Sequence, residues 1–391
     1  MTDPAQLAAQ LERNAVDALP AGALEAKLKS AAEAGRPLRV KLGIDPTAPD
    51  IHLGHTVVLT KLREFQDAGH TVVLILGDYT ARVGDPSGRS KTRPELSPEE
   101  IDANAETFQE QAFKVLDADR VEVRRNSEWL DMSMMDLFKL MRIPTVAQLL
   151  EREDFSNRYS EGTPIALLEL LYPVLQAYDS VAVKADLELG GTDQKFNLLL
   201  GRDFQNAHGM AQQAVLTMPI LPGTDGVRRM GKSLGNHIGV TEPPAEIFGK
   251  VMSIPDEVMG QYYDLLLGAE PESALPPVQQ KRALARAIVA RFHSADEAEA
   301  AEAHFDRLFK SHDVPDDLED FEFAADAGEI HVPGLLAEAF GMSRSESRRL
   351  IEQGGVSLDG QTISALDLPA TELEGRVLKV GKRRFKRLHA T

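Results

Sequence analysis

A chain of 391 residues, 43% apolar and 27% charged, has the balance of an ordinary globular protein and length for two or three domains around a sizeable core. With no cysteine it has neither disulfides nor thiolate metal sites. Its ten histidines show no zinc-like spacing, so no structural metal is expected. The net charge of −18 argues against a nucleic-acid partner only until its distribution is read: residues 331–391 carry 10 Lys+Arg against 7 Asp+Glu, leaving 33 against 54 elsewhere. Met1-Thr2-Asp3-Pro4 opens no signal-peptide pattern, and no stretch approaches the ~20 apolar residues of a membrane span. A cytoplasmic location without membrane contact is expected.

Residues 5–34 are rich in Ala, Leu, Glu and Lys and read as one or two amphipathic helices. Leu38 to Ile44 reads as a strand, Thr56 to Gly69 as a helix, and Thr71 to Leu76 as a buried strand. This is a βαβ unit, and between its first strand and its helix lies Asp45-Pro46-Thr47-Ala48-Pro49-Asp50-Ile51-His52-Leu53-Gly54-His55. A helix start offers free N–H groups and a positive dipole end, and two imidazoles three residues apart there can donate to one anion. Alone, such a pair is more often merely polar surface. The loop Gly77 to Arg89 follows the second strand and is placed by the open-sheet rule in the same crevice, with Asp85, Arg82 and Arg89 as charged groups.

Residues 97–180 read as mostly helical, broken by a strand over Arg120 to Asn126. Tyr172, Gln176 and Asp179 fall at i, i+4 and i+7, a polar stripe on an apolar helix that fits either a structural network or a pocket for a polar ligand. Val181 to Leu189 reads as a strand ending in Gly190-Gly191-Thr192-Asp193-Gln194, and Gln213 to Met218 as another. The glycine-punctuated basic loop Leu221 to Asn236 is either solvated surface or a closure over phosphates. Helices are expected over Glu246–Met252, Asp256–Leu267 and Pro277–Ser294, and a linker over 311–330. Ser343 caps a helix from Arg344 to Gln353 that Gly354-Gly355 stops, and Asp359-Gly360 turns a hairpin.

Taken in this order, the pieces resemble the class I aminoacyl-tRNA synthetases, most closely the bacterial tyrosyl family, over nearly the whole chain. His52-Leu53-Gly54-His55 is similar to the first signature, His-Ile-Gly-His. Arg229-Met230-Gly231-Lys232-Ser233 is similar to the second, Lys-Met-Ser-Lys-Ser. Gly84-Asp85-Pro86-Ser87-Gly88, the Tyr172/Gln176/Asp179 stripe and Gly190 to Gln194 resemble amino-acid pocket elements, and His331 to Thr391 resembles an S4-type RNA-binding domain. The resemblance implies a Rossmann-like α/β catalytic domain with a parallel sheet over 1–236 and a helical insertion at about 97–165. An α-helical anticodon-side domain over 237–325 and a small α+β S4-like domain over 331–391 would follow.

What the family does implies two steps: tyrosine reacts with ATP to give tyrosyl-adenylate and pyrophosphate, and the tyrosyl group then passes to the 3′ end of tRNA(Tyr). By motif position His52, His55, Thr47, Arg229, Lys232 and Ser233 serve the chemistry, and Gly54, Asp193, Arg89 and Lys232 hold ATP, with Mg2+ accompanying it and no dedicated protein metal site. Asp45, Thr80, Asp85, Tyr172, Gln176 and Gln194 join the tyrosine site. Asp179 accepts the phenolic hydrogen, with Lys41 beside it either donating to the phenol oxygen or pairing with a carboxylate such as Asp179. Arg344, Arg348, Arg349, Lys382, Arg383, Arg384, Lys386 and Arg387 would meet tRNA phosphates, although such a tail also fits a solvated end. A homodimer joined through the insertion is implied. Three positions depart from the pattern: Arg229 for lysine, Gly231 for serine, and Lys41 where the best-known branch has tyrosine. A synthetase for another amino acid, such as tryptophan, and a retired scaffold that only binds RNA are the competing readings.

Overall fold

The computed structural model describes residues 3–86, 96–309, 318–324, 328–381 and 384–391. The chain folds as two compact units, 1–293 and 294–391.

The first unit is built on a six-stranded sheet: β1 (Asp17–Leu19), β2 (Arg39–Ile44), β3 (Thr71–Leu76), β4 (Val121–Arg125), β5 (Leu187–Gly191) and β6 (Ala214–Met218). The spatial order is β1-β6-β5-β2-β3-β4, parallel throughout except for the antiparallel edge strand β1. From β2 the chain builds outward through β3 and β4, then returns to β5 on the other side. The strand order therefore reverses between β2 and β5, and the crevice beyond their carboxyl ends is where a ligand belongs. Val72 to Leu76 and Ala214 to Met218 are buried without alternation, as strands covered by helices on both faces must be.

Helices α1 (Pro4–Leu11) and α2 (Ala23–Glu33) precede the βαβ unit, whose helix is α3 (Leu53–Asp67). A short α4 (Thr80–Val83) follows β3. The insertion holds α5 (Pro98–Ala112), α6 (Ser127–Leu130), α7 (Met134–Leu140), α8 (Val146–Leu149) and α9 (Glu153–Ser160), with β4 completing the sheet edge. Next come α10 (Leu167–Ala182) and α11 (Lys195–Ala207), which pack closely on each other. Gly201 permits that approach: a Cβ there would lie 2.7 Å from Gln213 Nε2 and 2.9 Å from Ser180 Oγ. The unit closes with α12 (Pro244–Ser253), α13 (Asp256–Tyr262), a π-helical turn over Tyr263–Leu267, and α14 (Pro277–Phe292), whose Leu284, Ile288 and Phe292 are buried as their spacing predicts.

In the second unit α15 (Ala295–Phe309) is followed by β7 (Asp320–Phe323), β8 (Glu329–His331), α16 (Val332–Phe340) and α17 (Arg344–Glu352). Then come β9 (Val356–Leu358), β10 (Gln361–Thr362), β11 (Asp367–Pro369), α18 (Ala370–Leu373), β12 (Val377–Val380) and β13 (Arg384–Ala390). A five-stranded sheet in the order β10-β9-β12-β13-β7 packs on a core of Val332, Leu336, Ile351, Leu373, Leu378 and Leu388. Ser343 caps α17 as expected, its Oγ accepting the Glu346 N–H at 3.2 Å.

Three expectations need correction. The helix α10 runs through Ala182 and its strand begins only at Leu187, because a short apolar run such as Val181 to Val183 suits either element until its packing is known. The three-residue edge strand β1 lies inside a stretch whose composition predicts only helices. Of the region expected to be a linker, residues 311–317 and 325–327 lie outside the described residues, and the rest holds β7 and the start of β8, where Phe321 and Phe323 pack on the core although too few apolar residues stand together to signal a strand.

Candidate active site

A cavity of 760 Å³ opens at the β2/β5 crevice, and most residues singled out in the sequence line it. Main-chain pairing fixes the entrance to α3. Leu53 donates to the Ile238 carbonyl at 2.9 Å, Val240 to that of Ile51 at 3.0 Å, and the Gln111 side chain accepts the Ile51 N–H at 2.6 Å. His52 is the extended N-cap. The His55 Nδ1 accepts the His52 N–H at 3.2 Å, so the His55 proton sits on Nε2 and remains available to a ligand. The two rings stack 3.9 Å apart, and His52 Nδ1 is buried without a hydrogen-bond partner. Burial, with His55, His237 and Arg229 nearby, holds His52 down to about 2, and burial takes His55 to about 4. Both imidazoles are therefore neutral at neutral pH and offer the cavity N–H donors, not cations.

Across the entrance lies the second signature. Lys232 pairs with Asp50, and Arg229 Nη1 stands 3.8 Å from Asp193 Oδ2. The glycines of this segment predict a mobile loop, yet buried Asn236 braces it: its Oδ1 accepts the Gly231 N–H at 2.9 Å, and its Nδ2 donates to Asp225 at 3.0 Å and to the Arg229 carbonyl at 3.1 Å. Ser233 and Thr47 also line the cavity. Gly54 lies against the His52 ring, where a Cβ would stand 3.0 Å from its Nδ1. Burial and the Asp85 carboxylate push Asp193 above the usual carboxylate range.

Deeper, Asp45 accepts Thr80 Oγ1 at 2.7 Å and the Tyr172 hydroxyl at 3.0 Å. Gly77 makes this possible, since a Cβ there would collide with Asp45 Oδ1 at 2.1 Å. Asp85 accepts Gln194 Nε2 at 2.9 Å and Arg152 Nη2 at 3.2 Å, and Asn197 Nδ2 donates to Gln176 Oε1 at 2.8 Å and to Gln194 Oε1 at 3.0 Å. The polar stripe on α10 is therefore both a network and a cavity wall. At its far end Asp179 Oδ1 accepts the Trp129 indole N–H at 2.8 Å. Burial pushes Asp179 up to about 7, against the opposing effects of Lys41 and the Trp129 hydrogen bond.

Of the two alternatives for Lys41 the structure shows the carboxylate pair, but with a carboxylate other than Asp179. It is fully buried behind the cavity wall, and its ammonium donates to Glu188 Oε1 at 2.7 Å, Ser180 Oγ at 2.9 Å and the Gln176 carbonyl at 3.2 Å. An ammonium has three N–H donors, and all three are used, so none is left for a phenol. Its carboxylate partner is Glu188, not Asp179. Sequence reasoning passed over Glu188, Asn126, Trp129, Arg152 and Asn197. Asn126 had a signal, since it directly follows a parallel strand, and its side chain accepts the Tyr79 N–H and donates to Thr80 Oγ1, each at 2.9 Å.

Of the basic residues, Arg344, Arg348 and Arg349 are exposed on α17, with Ser347 and Ile351 buried on its other side. Arg384 and Arg387 are exposed on β13, and Lys386 pairs with Glu319 at 2.6 Å. Arg89, Lys382 and Arg383 lie outside the described residues.

A parallel sheet with its cavity at the switch point, histidines opening the first crossover helix and a cationic segment facing them is the arrangement of a class I nucleotidyl-transferring synthetase. Residues 33–310 match the family described as "tRNA synthetases class I (W and Y)", and the chain belongs to it. Among its relatives, the tyrosine–tRNA ligase of Moorella thermoacetica is 48% identical over 97% of this chain and 94% of that protein. That of Bordetella avium is 51% identical over 93% and 91%. The crystal structure of the Archaeoglobus fulgidus tyrosyl-tRNA synthetase complexed with L-tyrosine is similar in fold, with a TM-score of 0.61 at 24% identity, over 76% of this chain and 99% of that one.

Proposed function

We infer that this chain is a tyrosine–tRNA ligase: it activates L-tyrosine with ATP to tyrosyl-adenylate and pyrophosphate, then esterifies the 3′ end of tRNA(Tyr). The observation that supports it most is one cavity carrying a buried carboxylate, Asp179, at its depth and neutral imidazoles facing cationic side chains at its mouth. Pyrophosphate exchange run with each of the twenty amino acids tests it. Exchange dependent on tyrosine is expected; dependence on tryptophan, or none, removes this reading.

In the first step the tyrosine carboxylate attacks the α-phosphorus in line and pyrophosphate leaves; in the second the terminal ribose hydroxyl attacks the carbonyl and AMP leaves. Neither step needs a protein nucleophile. The residues position the reactants and meet charge where it grows. His52 and His55 offer N–H groups at the helix start, and Lys232, Arg229, Ser233 and Thr47 surround the phosphates, with Gly54 letting the nucleotide approach α3. Asp193 faces the nucleotide. Asp85, Tyr172, Gln176 and Gln194, with Asp45 and Thr80 supporting them, receive the substrate ammonium, and Asp179 accepts the phenol. Mg2+ arrives on the ATP phosphates in this reading. Arg89 belongs to the same set by its motif alone.

Residues 331–391 are read as the S4-like RNA-binding module, and residues 237–325 as the α-helical anticodon-side domain. Changing Arg344, Arg348 and Arg349 together to alanine is expected to leave tyrosine activation intact and weaken tRNA binding. It should also flatten the dependence of log affinity on log salt by about 0.7 to 0.9 per lost phosphate contact. A filter-binding salt series checks this, and an unaltered slope would make α17 a bystander.

The protein is also read as a cytoplasmic homodimer. No helix among the described residues is long and apolar enough to cross a membrane. In the insertion, Met134, Met135, Phe138 and Met141 are exposed on and just after α7 and Val146 on α8, while Leu140 is buried; Leu167 and Leu168 are exposed at the start of α10. The exposed side of α7 thus presents Met134, Met135 and Phe138 beside the Asp136–Lys139 ion pair, and a second copy would cover it. Phe138→Asp is expected to sediment as a monomer at concentrations where the native chain is a dimer. A persistent dimer would place the interface elsewhere.

A further inference from the structure

Lys41 and Glu188 are opposed in the register of β2 and β5, the two strands that flank the switch point. Both are essentially inaccessible to solvent, and their neighbours in the strand are apolar: Val40 and Leu42 beside Lys41, Leu187 and Leu189 beside Glu188. Their contacts form a closed set. Glu188 Oε1 accepts the Lys41 ammonium, and its Oε2 accepts Ser180 Oγ at 2.8 Å and the Gln213 amide. Lys41 in turn donates to Ser180 and to the Gln176 carbonyl, both on α10. The ion pair therefore ties the sheet to the helix that carries Tyr172, Gln176 and Asp179. Gly201 keeps the space for it, because any side chain there would strike Ser180, Gln213 and Glu188.

Two charges taken out of water are costly, and an apolar pair of similar volume would generally be no less stable. Stability alone gives little reason for the pair. We propose that Lys41 and Glu188 are positioning residues for amino-acid selection: without touching the substrate, they fix where α10 holds Asp179 and set the electrostatic field that this carboxylate experiences. The proposal rests on reading the cavity as the tyrosine site. The ionisable groups facing Asp179 are Lys41 from β2, Glu188 from β5 and Tyr172 on its own helix, and the uncharged Trp129 and Asn126 approach it from beyond β4. Of these, Lys41 favours the ionised carboxylate and Glu188 opposes it.

The two charges can be separated by the pH profile of kcat/KM for tyrosine in pyrophosphate exchange. Lys41→Met should move the acidic limb to higher pH, and Glu188→Gln should move it to lower pH, each by about one unit. A residue that merely supports the fold has no reason to shift the two limbs in opposite directions. Limbs that stay in place, or that move the same way, overturn the proposal. Because a single charge left behind can prevent folding, Lys41→Met/Glu188→Gln is measured as well. It should fold and lower the ratio of kcat/KM for tyrosine over phenylalanine at least about tenfold. The loss should lie in the KM for tyrosine, with the KM for ATP unchanged. An unaltered ratio in that variant also overturns the proposal. A native chain with no tyrosine-dependent exchange would instead remove the reading beneath it.

Discussion

Asp179→Asn is expected to lower the preference for tyrosine over phenylalanine by at least about 100-fold, most of it from slower use of tyrosine. Phenylalanine differs only by lacking the hydroxyl, and a site built to bond that hydroxyl is left with an unpaired buried acceptor when phenylalanine enters. Tyrosyl-tRNA synthetases are the known example of such rejection, at about 10⁵-fold, a property of those enzymes and not a quantity this geometry yields. Trp129 holds one oxygen of Asp179, leaving the carboxylate acceptor capacity that an amide would share with donors. The acceptor is the ionised form. With Asp179 pushed up to about 7, kcat/KM for tyrosine should therefore fall as the pH drops through that value, the proton converting acceptor to donor. Lys41→Met should erode discrimination less than Asp179→Asn. If Lys41→Met collapses the ratio and Asp179→Asn spares it, the lysine is the reader after all.

Lys232→Ala should slow tyrosyl-adenylate formation by about two orders of magnitude, roughly 3 kcal/mol of transition-state stabilisation, while tyrosine binds as before. Lys232 is half exposed, lines the cavity and is paired with Asp50, so in the proposed reading its charge is expected to serve the phosphates and not the amino acid. Pre-steady-state adenylation separates the two effects. A loss confined to tyrosine affinity would take Lys232 out of the phosphate site.

What is legible in the sequence is local. Strand, loop and helix start stand within a dozen residues at His52, so the βαβ unit and its anion-binding end can be read together. The same holds for Gly190 to Gln194 and for the cap at Ser343. The supporting residues are assembled over long separations. Arg152 reaches Asp85 and Asn197 from inside the insertion, and Trp129 reaches Asp179 from beyond the edge strand. No spacing rule links such positions. Lys41 and Glu188 do carry a signal, opposite charges each flanked by apolar residues, but only the strand order makes them neighbours. Resemblance places Lys41 where another branch has a residue that touches substrate, and the registers of β2 and β5 set the lysine against its own carboxylate, Glu188.

Trp129 is the single tryptophan of the chain, and its indole nitrogen is bonded to the one carboxylate expected to meet the substrate phenol. The Arg124 guanidinium covers its ring at 5.3 Å. The protein thus carries one indole chromophore, and in the proposed reading its emission is expected to follow the occupancy of the pocket and the ionisation of Asp179. Light emitted from that ring would then be a private optical channel into the proposed amino-acid site, with no label to attach and no second tryptophan to blur it.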